Sequence, residues 1–321
     1  MLAAYAARIA PDDPLSGLEV GERPDPEVPD GWALVDVRAA ALNHHDLWSL
    51  RGVGLAADAL PMILGCDAAG VDQDGNEVVV HAVIGDPAAG GGDETLDPKR
   101  SLLSEKFPGT LAERVMVPKR NLVPKPAALS FAEAACLPTA WLTAYRMLVT
   151  RGRLPEGGTV LVQGAGGGVA TAAIAIAKAL GATVYATSRD AAKRERAEQL
   201  GAIALETGAR LPERVDVVVE TVGQATIDHS IKSLKPGGRC VISGSTSGHQ
   251  ATIDLRRVFF LQQEIVGSTM GTRDELEALL ALCADTGLRP VIDSTYKLAD
   301  ARSAFERLES GDVFGKIVLE V

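Results

Sequence analysis

The chain has 321 residues, 46% of them hydrophobic and 23% charged, with a formal net charge of −10. That length predicts more than one core, and the acidic balance excludes a nucleic-acid partner, because phosphate binding requires a positive field. No stretch reads as a signal peptide or a membrane span, and the four scattered cysteines lack a C-x-x-C pair, which predicts buried thiols in a reducing cytoplasm.

Residues 1–125 carry short β-like runs, "WALVDVRAAAL", "NEVVVHAVI" and "AERVMVP", punctuated by Pro and Gly, and predict a compact β domain. Within it, "AALNHHDLWSLRG" sets Asn43, His44, His45, Asp46 and Trp48 between apolar residues. That constellation suits a metal site, an acid–base site, or the wall of a pocket. On an extended segment the adjacent histidines point to opposite sides and cannot share one ion. Asn43 could also brace a turn, and Asp46 could cap a following helix. Residues 86–109 read as an exposed loop.

Ser130 and Glu133 form a capping-box pattern, so a helix is expected there, leading into a second domain over residues 126–270. From Thr159 strands and helices alternate, which predicts a parallel sheet covered on both faces. The stretch "LETGARLPERVDVVVE" leaves about ten residues between two strands, fewer than a parallel crossover normally needs. The segment "FFLQQEIVGS" reads as an apolar edge strand. After Gly271, two helices and two strands complete residues 271–321.

"TVLVQGAGGGVATAAIAIAKALGATVYATSR" predicts a phosphate cradle: a buried strand, then Gly164, Gly166, Gly167, Gly168 and Val169, then a helix. Read as G-x-x-G-x-x-A, the motif uses Gly164, Gly167 and Ala170. An NAD site usually places an acidic residue at the end of the second strand. Here Ser188 and Arg189 stand there, with Lys193 one turn on, a set suited to the 2′-phosphate of NADP(H). Asp190 leaves two readings open, a ribose ligand or a helix cap.

With "ALNHHDLW", "MILGCDAAG", "PGTLAERVMVP", "LTAYRML", "VDVVVETVG", "IVGSTMGTRDEL" and the terminal "FGKIVLEV", the chain resembles the medium-chain dehydrogenase/reductase superfamily. Within it, the quinone oxidoreductase-like branch, related to zinc-type alcohol dehydrogenases, is closest. The resemblance implies an α/β fold: a GroES-like β-rich catalytic domain plus a doubly wound parallel Rossmann sheet. Residues 271–321 would return to the catalytic domain, with the active site between domains. It further implies cofactor contacts from Thr143, from Val222 and Gly223, from Ser243, Gly244 and Ser245, and from Ser268 and Thr269, and a homodimer paired through the edge strand.

Zinc-type relatives would place their catalytic ligands at Asn43, Cys66 and Thr139, of which only Cys66 is a competent donor, so no zinc is expected. The resemblance then implies an NADPH-dependent, metal-independent oxidoreductase that transfers a hydride to a small electrophile, a quinone or an α,β-unsaturated carbonyl. Asn43 and one of His44 or His45 would stabilise the substrate oxygen, while Trp48 forms pocket wall. The alternatives are an alcohol dehydrogenase, an enoyl-thioester reductase using Arg51, Lys99 or Arg100 at its mouth, or a non-catalytic NADPH-binding redox sensor.

Overall fold

Alternation along WALVDVRAAA turns Val35 and Val37 inward and makes Trp32–Ala41 the spine of a seven-stranded sheet. It pairs antiparallel with Asp67–Asp72, Arg114–Pro118 and Lys316–Glu320. Lys316–Glu320 runs parallel to Ile292–Lys297, and the intervening helix Ala301–Glu309 buries Ala301, Ala304, Phe305 and Leu308 at helical spacing. One core, including Val35, Leu64, Cys66, Leu103, Phe305 and Leu319, joins N-terminal and C-terminal segments. The computed structural model describes every residue, Met1–Val321. Its first unit is Met1–Ala140 with Met270–Val321, and its second is Trp141–Thr269.

Two expectations about the first unit need correction. Residues 126–140 belong to it rather than to the dinucleotide-binding domain, because helix Phe131–Ala135 packs on Trp32–Ala41 and Asp67–Asp72. The Ser130–Glu133 capping box is present, but a cap fixes where a helix starts and not which sheet it covers.

Residues 86–109 are an exposed loop only in part: Asp86, Ala88, Gly91, Gly92, Leu96 and Pro98–Arg100 are exposed, but the segment is anchored. Ser101–Leu102 pairs with Val83–Ile84, and side-chain carboxylates hold the rest. Asp97 accepts the Asp86 and Lys99 amides, each at 2.8 Å, and the buried Glu94 accepts the Arg273 amide at 2.8 Å. Acidic residues that satisfy backbone donors leave no hydrophobic period to read. Glu94→Ala is expected to destabilise the first unit by about 1–3 kcal/mol, the cost of an orphaned buried donor, measured by urea unfolding.

In the second unit six strands run parallel. Numbered in chain order from Thr159–Val162 they stand 3-2-1-4-5-6, the order of a doubly wound Rossmann sheet. No helix links Ile203–Leu205 to Val215–Glu220, and the short connection is pinned where His229 Nε2 donates to the Ala209 carbonyl at 2.9 Å. Only Glu264–Gly267 of "FFLQQEIVGS" forms the edge strand. Phe259 and Phe260 instead end the helix Leu255–Phe260, which starts where Asp254 accepts the Arg256 amide at 3.1 Å. That cap overrides the β propensity of the aromatic pair. No helix is long and apolar enough to cross a membrane.

Candidate active site

The second unit gathers most of the expected dinucleotide residues at the carboxyl ends of its strands. Gly164 has φ +74° and Gly166 φ +138°, conformations that only glycine adopts without strain. A Cβ at Gly166 would come within 2.9 Å of Lys193 Cδ, so the Lys193 stem lies across the turn. At Gly167 a Cβ would meet nothing within 4 Å, and helix Gly168–Ala179 begins without a side-chain cap. Open space above uncapped amides, Val169 included, is the arrangement that a diphosphate could occupy.

Around it, Ser188 is buried and its hydroxyl accepts the Asp190 amide at 3.2 Å, while Arg189 is exposed. Asp190 accepts the Ala192 and Lys193 amides at 2.8 and 3.3 Å, so its carboxylate is a helix cap. Sequence reasoning missed Arg194, whose guanidinium donates to the Ser188 and Arg189 carbonyls at 2.8 and 3.2 Å and fixes this strand end.

It also left Glu220 without a role. That fully buried carboxylate accepts the Val222 and Gly223 amides at 2.8 and 2.9 Å and hydroxyl protons from Thr226 and Ser230. It thereby shapes the turn at Gly223, where φ is +87°. Ser243 donates its amide to Glu220 O at 3.0 Å, and Gly244 and Ser245 follow it. Ser268 donates its amide to Ile242 O at 2.9 Å, ahead of Thr269, and Thr143 is buried in the helix Leu142–Arg146.

The first unit holds the polar cluster around "NHHDLW". His44 and His45 are not on an extended segment: they open the helix His44–Leu50, with Asn43 at its N-cap. Asp46 does not precede that helix but sits at its third position, where it accepts the Asn43 amide at 2.8 Å. An Asn-x-x-Asp pattern was the available signal for this box. Trp48 is half-exposed, with the Arg51 guanidinium 5.3 Å from its ring centroid, which fits a wall better than a core.

Two networks surround this helix start. In one, the buried Lys316 ammonium donates to the Leu42 carbonyl at 2.7 Å, Asn43 Oδ1 at 2.6 Å and Asp67 Oδ2 at 2.9 Å. Asn43 Nδ2 in turn donates to Asp67 Oδ2 at 2.8 Å and, weakly, to Ala41 O at 3.4 Å. The Asn43 amide is therefore fully engaged within the protein, and the expectation that it stabilises a substrate oxygen is not met.

In the other, His45 lies between Cys66 and Glu105, 3.4 Å from each. The Cys66 thiol donates to the Leu103 carbonyl at 3.2 Å, and burial pushes its pKa up despite His45 beside it. His44 keeps an exposed edge, yet desolvation, then the charges of Lys316 and Arg51, hold its imidazole below the usual range. Burial raises the Asp46 carboxyl to about 6, against the pull of His45.

Family models match residues 29–127 as an alcohol dehydrogenase GroES-like domain and residues 168–285 as a zinc-binding dehydrogenase. Acryloyl-coenzyme A reductase of Metallosphaera sedula is 33% identical over 325 residues, covering 94% of this chain and 96% of that protein. The chain belongs to the medium-chain dehydrogenase/reductase superfamily. It is a zinc-type alcohol dehydrogenase-like member, with the GroES-like and Rossmann architecture expected of it, and an oxidoreductase. A solved NAD-dependent alcohol dehydrogenase superposes with TM-score 0.91 at 35% identity over the full length of both chains. A 2-octenoyl-CoA carboxylase reductase, solved with NADP and 2-octenoyl-CoA, does so with TM-score 0.90 at 27% identity, covering 99% of this chain and 87% of that one.

The zinc positions of this superfamily can be tested by their donors. Asn43 presents its oxygen to an ammonium, Thr139 offers a buried hydroxyl with no partner, and only Cys66 has a soft donor. The two nitrogens of His45 face different partners, and no three His, Cys, Asp or Glu side chains converge on a point. Such a set does not fit a tetrahedral zinc.

Proposed function

We propose that this oxidoreductase reduces the carbon–carbon double bond of an α,β-unsaturated thioester with NADPH and without a metal. The observation that carries this reading is the Lys316–Asn43–Asp67 cluster. It sets a protein ammonium against the amide that stands at a zinc-ligand position, and so disfavours metal-polarised alcohol chemistry. The acryloyl-coenzyme A reductase and the 2-octenoyl-CoA complex favour an enoyl thioester over the quinone expected from the sequence.

Bound NADPH would supply the hydride for the β-carbon. The chain's own part is to hold it: the Gly164–Gly168 turn receives the diphosphate, and Ser188, Arg189 and Lys193 receive the 2′-phosphate. Asp190, engaged as a cap, leaves that phosphate unopposed by a committed ribose ligand. Of the basic residues considered for the thioester's nucleotide end, Arg51 is engaged by Trp48, and Arg100 reaches the Asp97 carbonyl at 3.5 Å.

Crotonyl-CoA and benzoquinone, each offered with NADPH and with NADH before and after exhaustive chelation, test the reading. Turnover of crotonyl-CoA with NADPH, unaffected by chelation, is expected. Arg189→Ala is expected to raise KM for NADPH by about tenfold, the loss of one charge-assisted contact, with NADH kinetics unchanged. Preference for NADH, or loss of activity on chelation, would overturn it.

A further inference from the structure

The turn after Ser101–Leu102 is built with unusual care. Ser104 is fully buried and adopts φ +68°, a left-handed conformation that costs a non-glycine residue stability. The turn holds because the Ser104 amide donates to Phe107 O at 2.9 Å, and the Leu102 amide donates to Glu105 Oε2 at 3.0 Å. Its effect is to deliver two acceptors to one place. Leu103 O takes the Cys66 thiol proton, and Glu105 Oε1 stands 3.4 Å from His45 Nε2.

With its proton directed to Leu103, the Cys66 sulfur turns a lone pair toward His45 Nδ1, 3.4 Å away. Both ring nitrogens of His45 therefore face acceptors. A neutral imidazole has one N–H and could satisfy only one of them, whereas the imidazolium satisfies both. The ring keeps 20% of its side-chain surface exposed, and Glu105 keeps 23%, so the pair is not sealed in the core.

We propose that His45 is the proton donor to the α-carbon of the substrate and that Glu105 is the residue that positions it. The inference rests on the enoyl-thioester reading given above. Once the β-carbon is reduced, the enolate electron pair forms the new Cα–H bond as an N–H bond of His45 breaks. The ring is left neutral and regains a proton from solvent. Desolvation opposes the imidazolium; with the Cys66 thiol neutral, the hydrogen bond to Glu105 and the charge of Asp46 favour it beside the Cys66 sulfur. These three groups, from the segment before Asp67–Asp72, the 101–107 turn and the helix itself, are those that face it. The doubly protonated ring, which has an acceptor at each nitrogen, is the donor form, and activity falls as pH rises through the pKa of His45.

Two measurements test the pair separately from simple loss of activity. In the first, histidine C–H resonances of the whole chain are titrated by NMR, with His45→Gln used to assign the signal. Glu105→Gln is expected to lower the His45 midpoint by about one pH unit or more, and to move the descending limb of kcat with it. In the second, a 2-methyl-branched enoyl-CoA is reduced and the configuration of its new α-centre is read. The wild type is expected to give one configuration, Glu105→Gln the same one more slowly, and His45→Gln a mixture from solvent protonation. A single configuration from His45→Gln at near wild-type rate, or an unmoved midpoint in Glu105→Gln, overturns the inference alone. A wild type that turns over no enoyl thioester overturns the reading on which it rests.

Discussion

Lys316→Met is expected to destabilise the first unit by about 3–5 kcal/mol, because it leaves the Asp67 carboxylate buried without a counter-charge. Lys316 is 2% exposed and Asp67 0%, so water cannot replace the lost partner. Asn43 would lose the donor to its Oδ1 in the same step, and with it the fixed start of the helix His44–Leu50. The double variant Lys316→Met/Asp67→Asn removes the unpaired charge while keeping an oxygen for Asn43 Nδ2, and is expected to recover at least half of the loss. Urea unfolding followed by Trp32 and Trp48, both in the first unit, reads these values, and the double-mutant cycle isolates the coupling. A single-variant cost below about 1 kcal/mol would mean that the pair does not hold this site together.

The cluster also marks where the sequence ceases to be legible. The strand, glycine turn and helix could be read because their logic is local: they follow one another within "TVLVQGAGGGVATAA". Lys316 and Asn43 meet across 273 positions. The only signal was a lysine opening a strand with an apolar, buried centre, "KIVLE", directly after the "FG" that helped to carry the family resemblance. Asp67, in "GCDAAG", gave a similar sign: a charge at the start of a small, buried strand.

Some signals were present and gave way to a different pattern. An extended reading of "NHHD" overlooks that Asn43 and Asp46 spell a capping box that starts a helix at once. Other features have no sequence signal at all. Nothing marks Ser104 for a left-handed conformation, since it is imposed by the tertiary packing of its turn. The anchoring of the 86–109 segment is hidden for a related reason: it comes from carboxylates bonded to backbone amides, which composition scores as exposure.

Asp46→Asn is expected to make the protein more stable at pH 8 and no more stable at pH 4. The carboxyl is fully buried, its Oδ2 accepts the Asn43 amide, and its Oδ1 has no partner. Burial raises its pKa to about 6 in the folded chain, above the ordinary carboxylate range it regains on unfolding. The folded state therefore holds the Asp46 proton more tightly. That contribution to stability is complete below about pH 4 and is lost as pH rises toward 6, beyond which the ionised group is a constant cost. Asparagine stays neutral throughout and can still accept the Asn43 amide, so the gain at pH 8 is expected to be about 1–3 kcal/mol. Melting temperatures of both forms at pH 4, 6 and 8 measure it, and an offset independent of pH would show that Asp46 does not titrate in this range. Because the Asp46 charge also favours the His45 imidazolium, the more stable variant is expected to lose activity at lower pH than the wild type does.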